Sequence, residues 1–128
     1  MDKIGIVVHS DDPKNLAMAM NLGTVGLSMD MAVVVYFTFD GLTHLMAGEK
    51  DLSSIEPLID AGMPNPYDML GQFVEMGGDA VSTVACTTTL DMLDWERGAM
   101  DDAVTTQFAG AATFLEEMDD ADHVFSFG

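Results

Sequence analysis

The chain has 128 residues, 48% of them hydrophobic, enough for one buried core and too few for two domains of ordinary size, so residues 1–128 read as a single domain. Its single cysteine excludes a disulfide-stapled secreted scaffold and a CxxC redox pair, and suits a reducing cytoplasm. Twenty-two acidic residues against four Lys plus Arg leave a net charge of −18, which repels phosphate backbones and anionic lipid, so nucleic acid and membrane surfaces are not expected partners.

Ile4-Gly5-Ile6-Val7-Val8 is a β-branched run without polar alternation, the pattern of a strand buried on both faces of a parallel sheet. The residues before it hold no basic region or small-residue cleavage site, so no signal peptide is expected. Asp11-Asp12-Pro13 supplies a cap and a first-turn proline, and the polar stripe Lys14, Asn21, Thr24 and Ser28 predicts a helix of about four turns. Met31 to Phe37 is the next strand, and strand, helix, strand in this order predicts a parallel pair with a right-handed crossover. The longest apolar stretch, Met31 to Phe39, falls well short of the roughly 20 residues of a membrane span, so a soluble protein is expected.

Asp40 to Met46 reads as a short helix, and Gly48 to Pro66, with Pro57, Pro64 and Pro66, reads as an irregular excursion that is either mobile or a cover. Asn65-Pro66 starts another helix that Gly77-Gly78 ends, with Met69, Leu70, Phe73 and Val74 on its apolar side. Ala80 to Ala85 is the third strand and Thr88 to Trp95 a short helix, while Arg97 to Gln107 is ambiguous, with a short strand or turn around Ala103-Val104. Gly110 opens a last helix whose Ala111, Phe114, Leu115 and Met118 share one face, and His123 to Phe127 closes the chain as a strand. The alternation predicts an α/β fold: a three-layer α/β/α sandwich around a mostly parallel sheet of about five strands.

In such a sheet ligands bind where strands end and helices begin. That edge collects His9 and Ser10 after the first strand, Phe39-Asp40-Gly41 after the second, and Cys86-Thr87-Thr88 after the third. A thiol there faces the N–H groups of the next helix, which favours thiolate and lowers its pKa, and His9 could approach as a base or donor. The competing reading makes Cys86 a small buried hydrophobe that closes a strand. His44 is either an exposed polar residue or a pocket wall, and Tyr67 and Trp95 read as packing or interface residues.

No dinucleotide or phosphate-binding loop, HExxH or EF-hand is present, so no cofactor is indicated. Glu116, Asp119, Asp120 and His123 read as a solvated helix end rather than a metal site. Met18, Met20, Met69, Met76, Met92 and Met118 read as core filling. The acids are spread along the chain, an acidic skin whose self-repulsion molar salt would screen, which points to a salt-rich cytosol, with a docking surface for a basic partner as the competing reading. The apolar helix from Leu16 to Met29 exposes enough surface to predict a homo-oligomer.

Val84-Ala85-Cys86-Thr87-Thr88-Thr89-Leu90-Asp91-Met92-Leu93 resembles the DsrE/DsrF-like family, most closely its DsrE2 branch, which carries one cysteine at this place before a Met-bearing helix. Ile4 to Ser10, Phe37 to Leu42, Asp68-Met69-Leu70 and Gly110 to Leu115 are similar to the same branch. The resemblance implies a flavodoxin-like domain that associates with copies of itself, in a family including sulfur carriers that hold a persulfide on the matching cysteine. It gives Cys86 the role of sulfur carrier. The expected pocket is Cys86 with His9, Ser10, Thr87 and Thr88, and the expected partners are a protein sulfur donor and acceptor. The alternative is a non-catalytic module of this fold that binds a small ligand or a protein beside an inert thiol.

Overall fold

The computed structural model describes residues 2–127. Strands β1 (Lys3–Val8), β2 (Ala32–Phe37), β3 (Val81–Cys86), β4 (Gln107–Ala109) and β5 (His123–Phe127) form one sheet in the order β4-β3-β2-β1-β5, with every neighbouring pair parallel. The chain steps in one direction from β1 to β4, so right-handed crossovers put its helices α1 (Pro13–Ser28), α2 (Glu56–Asp60) and α3 (Pro66–Gly77) on one face. The step back from β4 to the far edge has the opposite sense, and it carries α5 (Ala111–Glu117) across the other face. The short α4 (Thr87–Met92) lies between β3 and β4. Helices on both faces of a parallel sheet make the expected α/β sandwich, here with unequal layers.

The α1 face holds the larger core. Ile4, Ile6 and Val8 of β1 and Val33, Val35 and Phe37 of β2 meet Leu16, Ala19 and Met20 of α1 and Leu70 and Phe73 of α3. Both helices start as the sequence predicts: the Asp12 carboxylate accepts from the Lys14 N–H at 3.0 Å and the Asn65 side chain from the Tyr67 N–H at 2.9 Å, each with proline next in line. The opposite face is thinner, built from Val34, Tyr36, Val84, Cys86, Ala109 and Phe114, with Val7 and Met118 at its margin. Met118 lies over Gly5, where any side chain would collide with its sulfur.

Several local expectations need correction. The excursion from 48 to 66 contains α2 and sends Ile55 into the interior, so part of it covers the core. The ambiguous segment forms its strand at Gln107–Ala109 rather than around Ala103-Val104, because Thr83 and Thr106 tie the incoming chain to β3 by mutual hydrogen bonds. The helix after β3 stops at Met92, before Trp95. In α5 only Phe114 is buried, while Ala111 and Leu115 face outward, since a seven-residue helix on one side of the sheet buries a single turn's worth of contacts. Met20 alone of the six helix methionines is fully buried; Met69 and Met118 are partly buried, and Met18, Met76 and Met92 are exposed.

The edge where strands end is shaped by a turn of tight helix, Phe39–Leu45, that folds back over β1. Gly41 makes this possible: a Cβ there would strike the Val8 carbonyl oxygen. Beside it, Phe39 holds a left-handed backbone with φ of 49°, uncommon for an aromatic residue.

Candidate functional site

Cys86 is the last residue of β3 and caps the start of α4. The register sets Tyr36 beside Val84 and Phe37 beside Ala85, so alternation puts Tyr36, Val84 and Cys86 on the same, α5-facing side. The long Tyr36 side chain leans along β3 and donates its hydroxyl to Cys86 Sγ at 2.9 Å. Phe114 of α5 stacks on the Tyr36 ring with centroids 4.7 Å apart and planes 16° apart, holding the phenol in this pose.

The next residue of the second strand's path, Thr38, faces Thr89 of α4 with hydroxyls 3.2 Å apart, and the Phe39 N–H donates to Thr89 Oγ1 at 3.2 Å. Burial by itself would push the Cys86 pKa up, but the hydroxyls of Tyr36, Thr89 and Thr38 and the Thr89 N–H outweigh it and bring the value from 9.0 down to about 7. Burial, and then the neighbouring sulfur, raises the Tyr36 pKa well above its ordinary 10.0, so the phenol keeps its proton and remains a donor. The result is a thiol that ionises close to neutral pH among polar neighbours, in a residue only 4% exposed.

The expected pocket is only partly assembled. Thr87 and Thr88 follow Cys86 directly and border Gly110, yet the hydroxyl in hydrogen-bond contact with the sulfur is that of Tyr36, and the hydroxyls of Thr38 and Thr89, bonded to each other, lie near it. His9 and Ser10 leave β1, and β2 lies between β1 and β3, a lateral separation of about two strand spacings, or roughly 9–10 Å. His9 is exposed and its N–H goes to the Phe127 carbonyl, so it belongs to the β1–β5 side of the edge.

Ser10 serves a second polar cluster. His44 is 1% exposed, which overturns the exposed reading, and its Nε2 lies 2.8 Å from the Ser10 carbonyl, an acceptor only. The proton therefore sits on Nε2, and Nδ1 accepts from the Tyr67 hydroxyl at 2.9 Å. Lys50 completes the cluster, with Nζ 5.4 Å from the Tyr67 ring centroid and bonded to the Thr43 and Met46 carbonyls. These contacts pin the ends of β1 and β2 to the start of α3 and the excursion. Burial lowers the His44 pKa below 6.5, with the nearby Lys50 charge adding to it against the Ser10 carbonyl, Asp11 and Asp12.

Among the described residues no group of three or more His, Cys, Asp or Glu is placed to hold a metal ion, and no helix is long and apolar enough to cross a membrane. Asp120 of the acidic helix end pairs with Lys3 at 2.8 Å. A shallow cleft of about 360 Å³ between α1 and Leu58, Met63 and Met69 lies on the α1 face, across the sheet from Cys86.

No family model and no curated protein matches the chain. Among solved structures, the fold is similar to that of MTH1491 from Methanobacterium thermoautotrophicum, described as a protein of unknown function, with a TM-score of 0.67 at 13% identity over 98% of this chain and 99% of that one. At this identity the likeness concerns the fold alone.

Two outcomes follow from the geometry. Tyr36→Phe removes one donor, so the thiolate absorbance of Cys86 in the ultraviolet titrates at a higher pH than in the wild type, moving from about 7 toward 9.0. Buried neutral His44 must gain a proton on unfolding below 6.5, so its contribution to stability is complete above that value and is lost as pH falls toward its lower folded pKa. Urea midpoints between pH 7 and 5 will therefore fall more steeply for the wild type than for His44→Gln.

Proposed function

We propose that the protein is a sulfur carrier of the cytoplasm in which thiolate Cys86 accepts a sulfane sulfur and hands it on. The observation that carries this reading is the Tyr36 hydroxyl held on Cys86 Sγ at 2.9 Å, with the Thr38 and Thr89 hydroxyls beside it, an arrangement that favours the nucleophilic thiolate near neutral pH. Loading is a displacement on sulfur: Cys86 S⁻ attacks the terminal sulfur of a donor persulfide R–S–SH, the donor's S–S bond breaks, and R–S⁻ leaves with its electron pair. Unloading reverses the roles. An acceptor thiolate attacks the outer sulfur of Cys86–S–SH, takes it as a persulfide, and returns the Cys86 thiolate. Neither step needs an external oxidant or reductant, which fits a chain with one cysteine and no resolving thiol.

The resemblance of residues 84–93 to the DsrE2 branch supports the same reading, with protein thiols as donor and acceptor. A different reading, a ligand- or protein-binding module with an inert thiol, is favoured by the 4% exposure of Cys86. Intact mass separates the two. After incubation with inorganic polysulfide, the wild type should gain the mass of one sulfur atom, reversibly on addition of dithiothreitol, and Cys86→Ser should gain none. No addition to the wild type, or equal addition to both, rejects the sulfur-carrier reading.

A further inference from the structure

Strand β5 is an open edge of the sheet, and nothing along it guards against pairing. His123–Phe127 contains no Lys, no Pro and no acid, and His123 through Ser126 are all exposed. The Phe127 carbonyl accepts from the His9 N–H of the β1 side, so by alternation Phe125 also turns its backbone groups toward β1, and Val124 and Ser126 turn theirs outward. On the α1 face the edge continues into a cleft of about 430 Å³ lined by Leu22, Val25, Met29 and Phe125, with Asp2 and Asp122 also in its wall. Val25 is 49% exposed, Met29 65%, Val124 53% and Phe125 38%. Natural edge strands are usually blunted by charge, proline or a bulge, and this one has none of the three.

The charges flanking the strand limit the direction in which a second copy can lie against it. Asp119, Asp120 and Asp122 crowd its beginning, while the residues from His123 to Phe127 carry no acid. A parallel neighbour of the same sequence would stack these acids on one another, whereas an antiparallel one holds the two groups of acids at opposite ends of the pair. We propose that a second copy of this chain pairs there, β5 against β5, about a two-fold axis at Phe125. In that register Val124 lies opposite Ser126 of the second copy, and the two outward-facing pairs exchange about four backbone hydrogen bonds. Phe125 meets its own counterpart in the non-hydrogen-bonded position, and the two clefts meet across the axis at their Phe125 walls. The sheet then runs continuously through both copies, and each carries −18 into the pair, so screening by salt strengthens the association.

The test is the mass in solution, by sedimentation, at about 0.1 M and about 3 M KCl, where the screening length falls from roughly 10 Å to below 3 Å. The wild type should approach twice 13.7 kDa as salt rises, with the dissociation constant falling at least about tenfold. Ser126→Pro removes an outward N–H without changing charge or the β1 ladder, and it should stay at the mass of one chain with an unchanged circular dichroism spectrum. In a Cys86→Ser background, Phe125→Cys should form a disulfide between copies on mild oxidation, because Cα atoms of a non-hydrogen-bonded pair lie about 4.5 Å apart. One-chain mass at every salt and protein concentration overturns the proposal and leaves the edge to another partner. A dimer in which Phe125→Cys fails to cross-link overturns it too, since the copies then meet elsewhere; this arm does not depend on how Ser126→Pro folds.

Discussion

The hydrogen bond from Tyr36 to Cys86 ties the architecture of this protein to its chemistry. It exists because β2 and β3 are neighbours in a register that puts both side chains on the thin face of the sheet. Phe114, the one buried residue of α5, presses on the Tyr36 ring, so the return crossover to the far edge also fixes the donor. Two opposing effects meet at the sulfur: removal from water disfavours the anion, and convergent donors favour it. The donors prevail, and the thiol titrates near 7 although it is 4% exposed.

The strand-end edge is thus divided into two polar centres with different tasks. On the β3 side, hydroxyls converge on an ionisable sulfur. On the β1 side, His44 is committed at both ring nitrogens, to the Ser10 carbonyl and the Tyr67 hydroxyl, and joins three chain segments. A histidine so occupied is a structural bracket, and its neutral form is the one the fold requires. Gly41 allows the turn carrying His44 to lie against the end of β1, and the same turn begins with Phe39, whose N–H reaches the Thr89 hydroxyl near the sulfur.

Much of the fold was legible in the sequence because its signals are local. Unbroken apolar runs marked β1 and β2, and short segments rich in β-branched or aromatic residues marked β3 and β5, each within a residue or two, while Asp12-Pro13 and Asn65-Pro66 marked the starts of α1 and α3. The three-residue β4 carries too few side chains to show a period, and its position depends on Thr83 and Thr106 bonding across to β3. At the site, Cys86 stood out by its place at a strand end. Tyr36, Thr38 and Thr89 did not, since Tyr36 sits in an apolar run, Thr38 is a single polar residue between Phe37 and Phe39, and Thr89 is one of three threonines in a row. The usable signal was parity: residues 36, 84 and 86 share a face once β2 and β3 are known to adjoin, and strand order is a long-range property that no window of sequence contains. The same ignorance of order placed His9 near the thiol, when β2 stands between them.

A sulfur carrier of this kind requires that a substantial fraction of Cys86 be thiolate at neutral pH although the residue is buried. Because the chain has a single cysteine, labelling that residue with carbon-13 at Cβ gives one resonance whose chemical shift follows ionisation of the sulfur. Titration of the folded protein should show one transition with a midpoint near 7. A midpoint at or above 9.0, the ordinary value of the thiol, would mean that burial outweighs the donors and that the site holds a neutral thiol.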